Sequence, residues 1–469
     1  MSRFNKSNPV SILAIALVIL FLVSLLPLHK ITGGFFKDYS FFSDIIENED
    51  TETAAIPENT ESLLDPDIAK LLQSETSAKD SISDTVKQTL TDTISSEFIG
   101  TELPEDTVTH TEPVIEDYTP DGRGLANLKR ALSECSHKTA RIAFIGDSYI
   151  EGDILTQNIR EELQDIYGGS GIGFSPMHSD TPGFRRSVNL QCSGWTLKEI
   201  INTTANMTLS GSYCISSENS KSKFKGSQKF RYLDSWDRTK ILFISKTDAD
   251  IKITLPDTTY TEHVTASESV QEITVNTHTD NISISTKNPG ITFLGTYLDG
   301  NAGIALDNMP MRGYAGIRHH QISLPICSGM RKYVDYDLII IEYGINAISA
   351  NVLNYTYFKD ALKKDIAKIR ECYPNADILI MGVGDRGEKR NGAIHTMRAV
   401  PPMIKAQRQL ARELGVLFWD TQLAMGGKDA IVEWTENKDT NKDYIHLSMK
   451  GGKRLGKIFT EELIKALDK

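Results

Sequence analysis

The last third of the chain alternates between two hydrophobic periods, and that alternation narrows the fold more than any other feature. "YDLIIIEYG" is an apolar run closed by glycine, and "VLNYTYFKDALKKDIAKIRECYP" after it has helical spacing. "ADILIMGVG", "PPMIKAQRQLARELG", "VLFWD" and "GGKRLGKIFTEELIKAL" repeat the pattern of strand and helix. Strands that are apolar throughout have no face to leave in water, so such a chain needs a parallel sheet covered by helices on both sides. The same grammar opens far upstream, where "RIAFIG" precedes the amphipathic "ILTQNIREELQDIYGG". Leu125, Leu128 and Leu132 just before it fall at helical spacing.

Between these halves the period shortens. "KILFISK", "ADIKITL", "VQEITVNT", "NISISTK" and "ITFLGTYL" are short runs rich in Ile, Val and Thr and punctuated by Asp, Asn, Pro or Gly. They predict a small antiparallel β-sandwich set into the α/β domain. The expected fold is therefore α/β over 123–184 and 301–469, with a β-rich insertion at 185–300.

The beginning of the chain reads differently. "VSILAIALVILFLVSLLPL" (10–28) follows Arg3 and Lys6 and is long enough to cross a bilayer. No small-residue cleavage site follows it, so residues 1–30 are expected to be an uncleaved signal anchor, with a cleaved signal peptide as the alternative. On this reading everything after residue 30 is held in the periplasm or otherwise outside the cytoplasmic membrane. Residues 31–122 are Ser, Thr, Asp, Glu and Pro with few aromatics, a composition expected to form a disordered linker. About 80 residues of coil have an end-to-end distance of roughly 50 Å, the reach of a tether.

Charge follows the same division. Residues 41–120 hold 20 acidic side chains against three lysines, a balance of −17 that exceeds the −11 of the whole chain. The remainder is +6, and its cations form no stripe with interleaved aromatics, so no nucleic-acid partner is expected. Five cysteines lie without CxxC pairing, which indicates neither a zinc site nor a redox pair, and no cofactor or metal is expected. In an exported chain Cys192 and Cys214 are candidates for a disulfide. His178, His319 and His320 have no carboxylate or cysteine at ligand spacing.

Chemistry is suggested where the first strand ends, at Gly146-Asp147-Ser148. Alone, this tripeptide is also an ordinary strand-to-helix turn. "DYIHLSMKGG" near the C-terminus supplies Asp443 and His446, three apart. A carboxylate so placed accepts the imidazole Nδ1 proton and leaves Nε2 to act on a serine. No G-x-S-x-G elbow is present, which argues against an α/β-hydrolase.

With these blocks the sequence resembles the SGNH/GDSL hydrolase family. The resemblance implies a flavodoxin-like parallel sheet, Ser148 as nucleophile, and Asp443 and His446 as its catalytic partners. "LDNMPMRGYAG" resembles the block that offers a backbone N–H to the oxyanion, with Gly313 preferred and Gly316 the alternative. "YGINAIS" resembles the usual Gly-x-Asn-Asp, giving Gly344 and Asn346, although Ala347 stands where the family has Asp. The implied oxyanion hole is Ser148, Gly313 and Asn346. "GDSYIEGDILTQNIREELQDIYGGSGIGF" is further similar to bacterial peptidoglycan O-acetylesterases, some of which carry a carbohydrate-binding-module-like β-domain at the position of this insertion.

The expectation is a membrane-anchored serine esterase that removes O-acetyl groups from a cell-wall or envelope glycan. Its alternatives are an O-acetyltransferase using the same triad beside a membrane-bound O-acyltransferase, and an inactive glycan-binding protein. Asp153 and Glu151 are expected to shape the turn after Ser148. Trp195 and Tyr314 are more readily core than sugar platforms, and Asp385-Arg386 is expected on the same sheet edge as the catalytic loops, as a lining of the cleft.

Overall fold

The structure is a computed structural model and describes residues 111–469. The apolar stretch at 10–28 and the expected linker up to residue 110 lie outside the described residues. Among the described residues no helix is long and apolar enough to cross a membrane.

Six strands form the central sheet in the order β1, β17, β14, β13, β2, β12. They are β1 (Ile115–Asp117), β2 (Thr139–Gly146), β12 (Gly303–Pro310), β13 (Leu338–Glu342), β14 (Asp377–Met381) and β17 (Leu417–Trp419). The last five are parallel, and their spatial order is the flavodoxin-like 2-1-3-4-5. Side chains alternate strictly on β2. Ala143 and Ile145 join one core with α4 (Thr356–Cys372) and α5 (Val400–Leu414). Ile142 and Phe144 join the other with α1 (Ala126–Ser133), α2 (Thr156–Tyr167) and α8 (Met449–Leu467). Both faces are thus covered, which is why "RIAFIG" carries no polar face.

β1 corrects the expected end of the linker at residue 122. It pairs antiparallel with β17, from Ile115 opposite Trp419 to Asp117 opposite Leu417. Ile115 is buried, and Glu116 forms an ion pair with Arg408 at 3.1 Å. A three-residue strand is too short to show a period, and its acid faces a cation instead of water.

The insertion starts at Gly173, earlier than the expected 185, because β3 (Gly173–Ser175) already pairs with β11 (Thr292–Asp299). Its other strands are β4 (Val188–Glu199), β5 (Ser212–Gly226), β6 (Trp236–Ile244), β7 (Ala249–Thr254), β8 (Thr259–Val264), β9 (Gln271–Thr279) and β10 (Asn281–Thr286). The long β5 serves two layers. Its first half pairs with β11, which leads on to β6 and β9, and its second half pairs with β10, which leads on to β7 and β8. Ile251, Ile253, Ile282 and Ile284 from one layer share a core with Ile241, Phe243, Ile273 and Phe293 from the other. Trp195 belongs to that core, edge-on to Phe293 at 5.0 Å between ring centroids.

The layer holding β6 and β11 is buried on its outer side as well. Leu242, Ile244, Leu294 and Tyr297 pack into the α/β core with Met309 and Tyr314. A buried ion cluster spans the same junction. Arg141 on β2 donates to both Asp307 oxygens on β12, at 2.8 and 2.9 Å, and to Asp299 at the end of β11. The Tyr336 hydroxyl and the Phe174 N–H also donate to Asp307, at 3.0 and 2.9 Å. All five cysteines are free thiols, so the Cys192–Cys214 disulfide does not form. Cys214 is buried in the sandwich, whereas Cys192 faces His178 at 3.4 Å.

Candidate active site

In an open 2-1-3-4-5 sheet, the carboxyl ends of the first and third strands diverge to form a crevice at the switch point. Here these strands are β2 and β13, and the Gly146-Asp147-Ser148 turn continues directly from β2. The Ser148 Oγ lies 2.9 Å from His446 Nε2, and His446 Nδ1 lies 2.7 Å from Asp443 Oδ2. Asp443 Oδ1 accepts the N–H of Ile445 at 2.9 Å and that of His446 at 3.1 Å, so the carboxylate is held from both sides. Burial raises its pKa, but the hydrogen bond and charge of His446 outweigh this and leave it below the usual carboxylate value. With Nδ1 satisfied by a carboxylate, Nε2 is left as a base facing the serine.

The local folding of each loop explains these positions. Ser448 caps α8 by accepting from the Gly451 N–H at 3.2 Å, and Asn441 N–H closes the His446 loop on its carbonyl at 2.8 Å. After Ser148, Asp153 is fully buried and paired with Arg160 at 2.8 Å and with Arg185 at 3.3 Å. Burial raises this carboxyl, yet the two arginines hold it well below the usual range. The sequence expectation that Asp153 shapes the turn agrees with these contacts. They fasten the nucleophile turn both to α2 and to the start of the insertion.

Two further loops border Ser148. Met311 N–H donates to the Gly146 carbonyl at 2.8 Å, which sets the turn through Arg312 and Gly313 beside the serine. Gly313 has a φ of +73° and an exposed, open position. Gly316 also has positive φ, but it is buried, and a Cβ there would sit 2.1 Å from Tyr343. That contact gives Gly316 a packing role and leaves Gly313 as the glycine at the crevice. Asn346 lies in a short 3-10 turn (Ile345–Ala347) after β13, and its Nδ2 donates to the Tyr314 carbonyl at 3.3 Å. The same side chain also hydrogen-bonds the buried Asp147 carboxyl behind the serine. Among the described residues, neither the Ser148 nor the Gly313 N–H has an acceptor. Ala347, the departure from the family pattern, is fully buried in the apolar core, where a carboxylate would lose its hydration.

Sequence reasoning did not reveal what supports this arrangement from beneath. Arg386 is 2% exposed, and its Nη1 donates to the carbonyls of Ile345 at 3.0 Å and Ile348 at 3.4 Å, on either side of Asn346. Its Nε and Nη2 are buried without partners among the described residues. Burial lowers its pKa against the opposing fields of Tyr355, Asp443 and Asp147. Asp385 is fully buried instead of lining the crevice, and accepts from Gln422, Ile431 and Thr396. Tyr314 is also buried, edge-on to Tyr343 at 5.4 Å.

Asp147 and Glu342 form a buried acidic pair behind the serine, and the Asp147 N–H lies 3.3 Å from Glu342 Oε2. Burial and then the charge of Asp147 hold Glu342 well above the usual carboxylate range, and burial likewise raises Asp147. A carboxyl raised in the folded state keeps its proton after the unfolded chain has lost it, so stability declines as pH rises above about 4. Glu342→Gln removes this titration. Thermal unfolding between pH 5 and 9 is expected to show a smaller decline in Tm for the variant than for the wild type. Equal declines would contradict the assignment.

The sequence profile of the GDSL-like lipase/acylhydrolase family matches residues 273–454, which include Gly313, Asn346, Asp443 and His446. Among solved structures, a peptidoglycan O-acetylesterase is 20% identical with a TM-score of 0.61, and the match covers 76% of this chain and 99% of that one. A family two carbohydrate esterase from Cellvibrio japonicus is a much weaker likeness, 9% identical with a TM-score of 0.26, covering 60% of this chain and 98% of that one. No curated sequence is a significant match. Residues 273–454 are thus similar to the GDSL-like lipases and acylhydrolases, and the sheet order and the likeness to the O-acetylesterase show a shared fold.

Proposed function

We propose that the chain removes O-acetyl groups from a cell-wall or envelope glycan, with Ser148, His446 and Asp443 as the catalytic triad. The observation that carries this reading is the hydrogen-bonded line from Ser148 Oγ through the imidazole to the Asp443 carboxylate, at 2.9 and 2.7 Å. Ser148 Oγ attacks the ester carbonyl as His446 Nε2 takes its proton. The oxyanion of the tetrahedral intermediate accepts from the N–H groups of Ser148 and Gly313 and from the Asn346 amide, which it shares with the Tyr314 carbonyl and Asp147. The C–O bond to the sugar breaks, and His446 returns the proton to the leaving hydroxyl. Water then attacks the acetyl-serine with His446 again as base, which releases acetate and restores the serine.

The acetyl specificity rests on the fold shared with a peptidoglycan O-acetylesterase and on the resemblance of the nucleophile block. The apolar stretch at 10–28 and the acidic segment after it support a membrane-tethered enzyme working outside the cytoplasmic membrane. The deciding experiment incubates the protein with O-acetylated peptidoglycan and assays free acetate, in parallel with mass spectrometry after a fluorophosphonate probe. Acetate release together with an adduct on Ser148 is expected. Acetyl found on an added glycan in place of free acetate would make the protein a transferase, and the absence of both adduct and acetate would refute the triad.

A further inference from the structure

The insertion holds a second line of nucleophile, imidazole and carboxylate, separate from the Ser148 triad. Cys192 on β4 stands opposite Ser222 on β5, and the Ser222 hydroxyl donates to the Met177 carbonyl, which lays the segment from Met177 to Asp180 over this strand pair. Cys192 Sγ lies 3.4 Å from His178 Nδ1, and His178 Nε2 lies 2.9 Å from Asp180 Oδ1. A carboxylate accepts and does not donate, so Nε2 carries the hydrogen and Nδ1 turns its lone pair to the thiol. This is the logic of the serine triad with the two ring nitrogens exchanged and sulfur in place of oxygen. The Ser179 carbonyl, 3.7 Å from Sγ, is a second acceptor for the thiol, but a carbonyl does not take its proton.

The other four thiols are placed differently. Cys135 is half-buried like Cys192, yet it meets the Tyr167 carbonyl at 3.6 Å instead of a base. Cys214, Cys327 and Cys372 are buried. Cys214 lies within the field of Cys192, and burial pushes its thiol up to about 12. A thiol that keeps its proton does not attack a neighbouring disulfide, so a bond formed on Cys192 is not passed on to Cys214.

We propose that Cys192 is a thiol-modification site that takes low-molecular-weight disulfides, with His178 as its base and Asp180 as the group that orients the imidazole. His178 Nδ1 takes the thiol proton as the Cys192 sulfur attacks one sulfur of the small disulfide. A mixed S–S bond forms while the small S–S bond breaks, and the departing thiolate recovers the proton from the imidazole. One disulfide is consumed and one is made, so the step needs no further oxidant. It is independent of the esterase reading.

The test incubates the full chain with cystamine and follows the mixed disulfide at each cysteine by peptide mass spectrometry over time. Cys192 is expected to react at least about tenfold faster than Cys135, while the three buried thiols stay free. His178→Asn is expected to slow Cys192 about tenfold and leave the rate at Cys135 unchanged, because it removes the base alone. The Asp180 side chain is 82% exposed and has no part in packing, so Asp180→Asn serves as a second variant, expected to slow Cys192 severalfold. Reaction at Cys327 or Cys372 reports an unfolded variant, in which case Asp180→Asn decides. Cys192 reacting no faster than Cys135, or keeping the parent's rate within about twofold in the folded variants, overturns the site.

Discussion

Alanine at position 148 is expected to lower kcat/KM for an acetyl ester by at least about 10⁴-fold, the scale on which loss of a serine nucleophile acts. On the proposed mechanism the residual rate belongs to the donors that remain, the Gly313 N–H and the Asn346 amide, which would still stabilise an oxyanion formed by water attack. The substitution removes one hydroxyl whose hydrogen bond goes to His446, from a side chain that is only half-buried. Stability is therefore expected to change by no more than about 0.5 kcal/mol, the usual range for substitutions away from packed or buried polar features. Steady-state kinetics with p-nitrophenyl acetate beside a urea melt make the check. A variant retaining a tenth of wild-type activity would place the nucleophile elsewhere.

Asp443→Asn is expected to cost about 10³–10⁴-fold, nearly all of it in kcat. The two carboxylate oxygens accept from three N–H groups, those of Ile445, His446 and the imidazole. An asparagine has a single acceptor oxygen. If that oxygen keeps the backbone donors, the NH₂ faces Nδ1 and forces the tautomer in which Nε2 carries the proton, a form unable to take one from Ser148. The opposite orientation sets the NH₂ against the backbone N–H groups and displaces the loop. The carboxylate also has a pH signature. Its pKa is lowered in the folded state, so its stabilising contribution is present above about pH 4 and fades as the pH falls through the folded value. The asparagine variant is expected to lack that acid-side decline. Activity within tenfold of wild type would mean that His446 is oriented by another group.

The parallel sheet was legible because its strands are buried on both faces, so each reads as a continuous apolar run. The strands of the insertion were legible for the opposite reason, since β7 alternates buried Ala249, Ile251 and Ile253 with exposed neighbours. Asp443 and His446 sit three apart and announce themselves locally. The separation of 298 positions from Ser148 to His446 is closed only by the fold. Gly313 and Gly316 share one short stretch and both adopt positive φ, so what separates them is the Tyr343 ring, supplied by another strand end. The contacts of Arg386, and the exposed Phe184 altogether, were missed for a related reason. Nothing in "GVGDRGE" shows that an arginine will hold two carbonyls flanking Asn346, and nothing in "TPGFRR" shows that a phenylalanine will stay in water. Both facts depend on partners far away in sequence.

The Arg141 cluster changes what the insertion is for experimental purposes. Its charges come from β2, β12 and the end of β11, and the tyrosine and backbone donors that complete it come from both sides of the junction. Excising residues 173–299 would strip Asp299 from Arg141 and expose Leu242, Ile244, Leu294 and Tyr297's former contacts on Met309 and Tyr314. The insertion is thus no detachable cassette. The two are expected to melt as one cooperative unit, since the shared core and ion cluster leave no clean seam along which to cut.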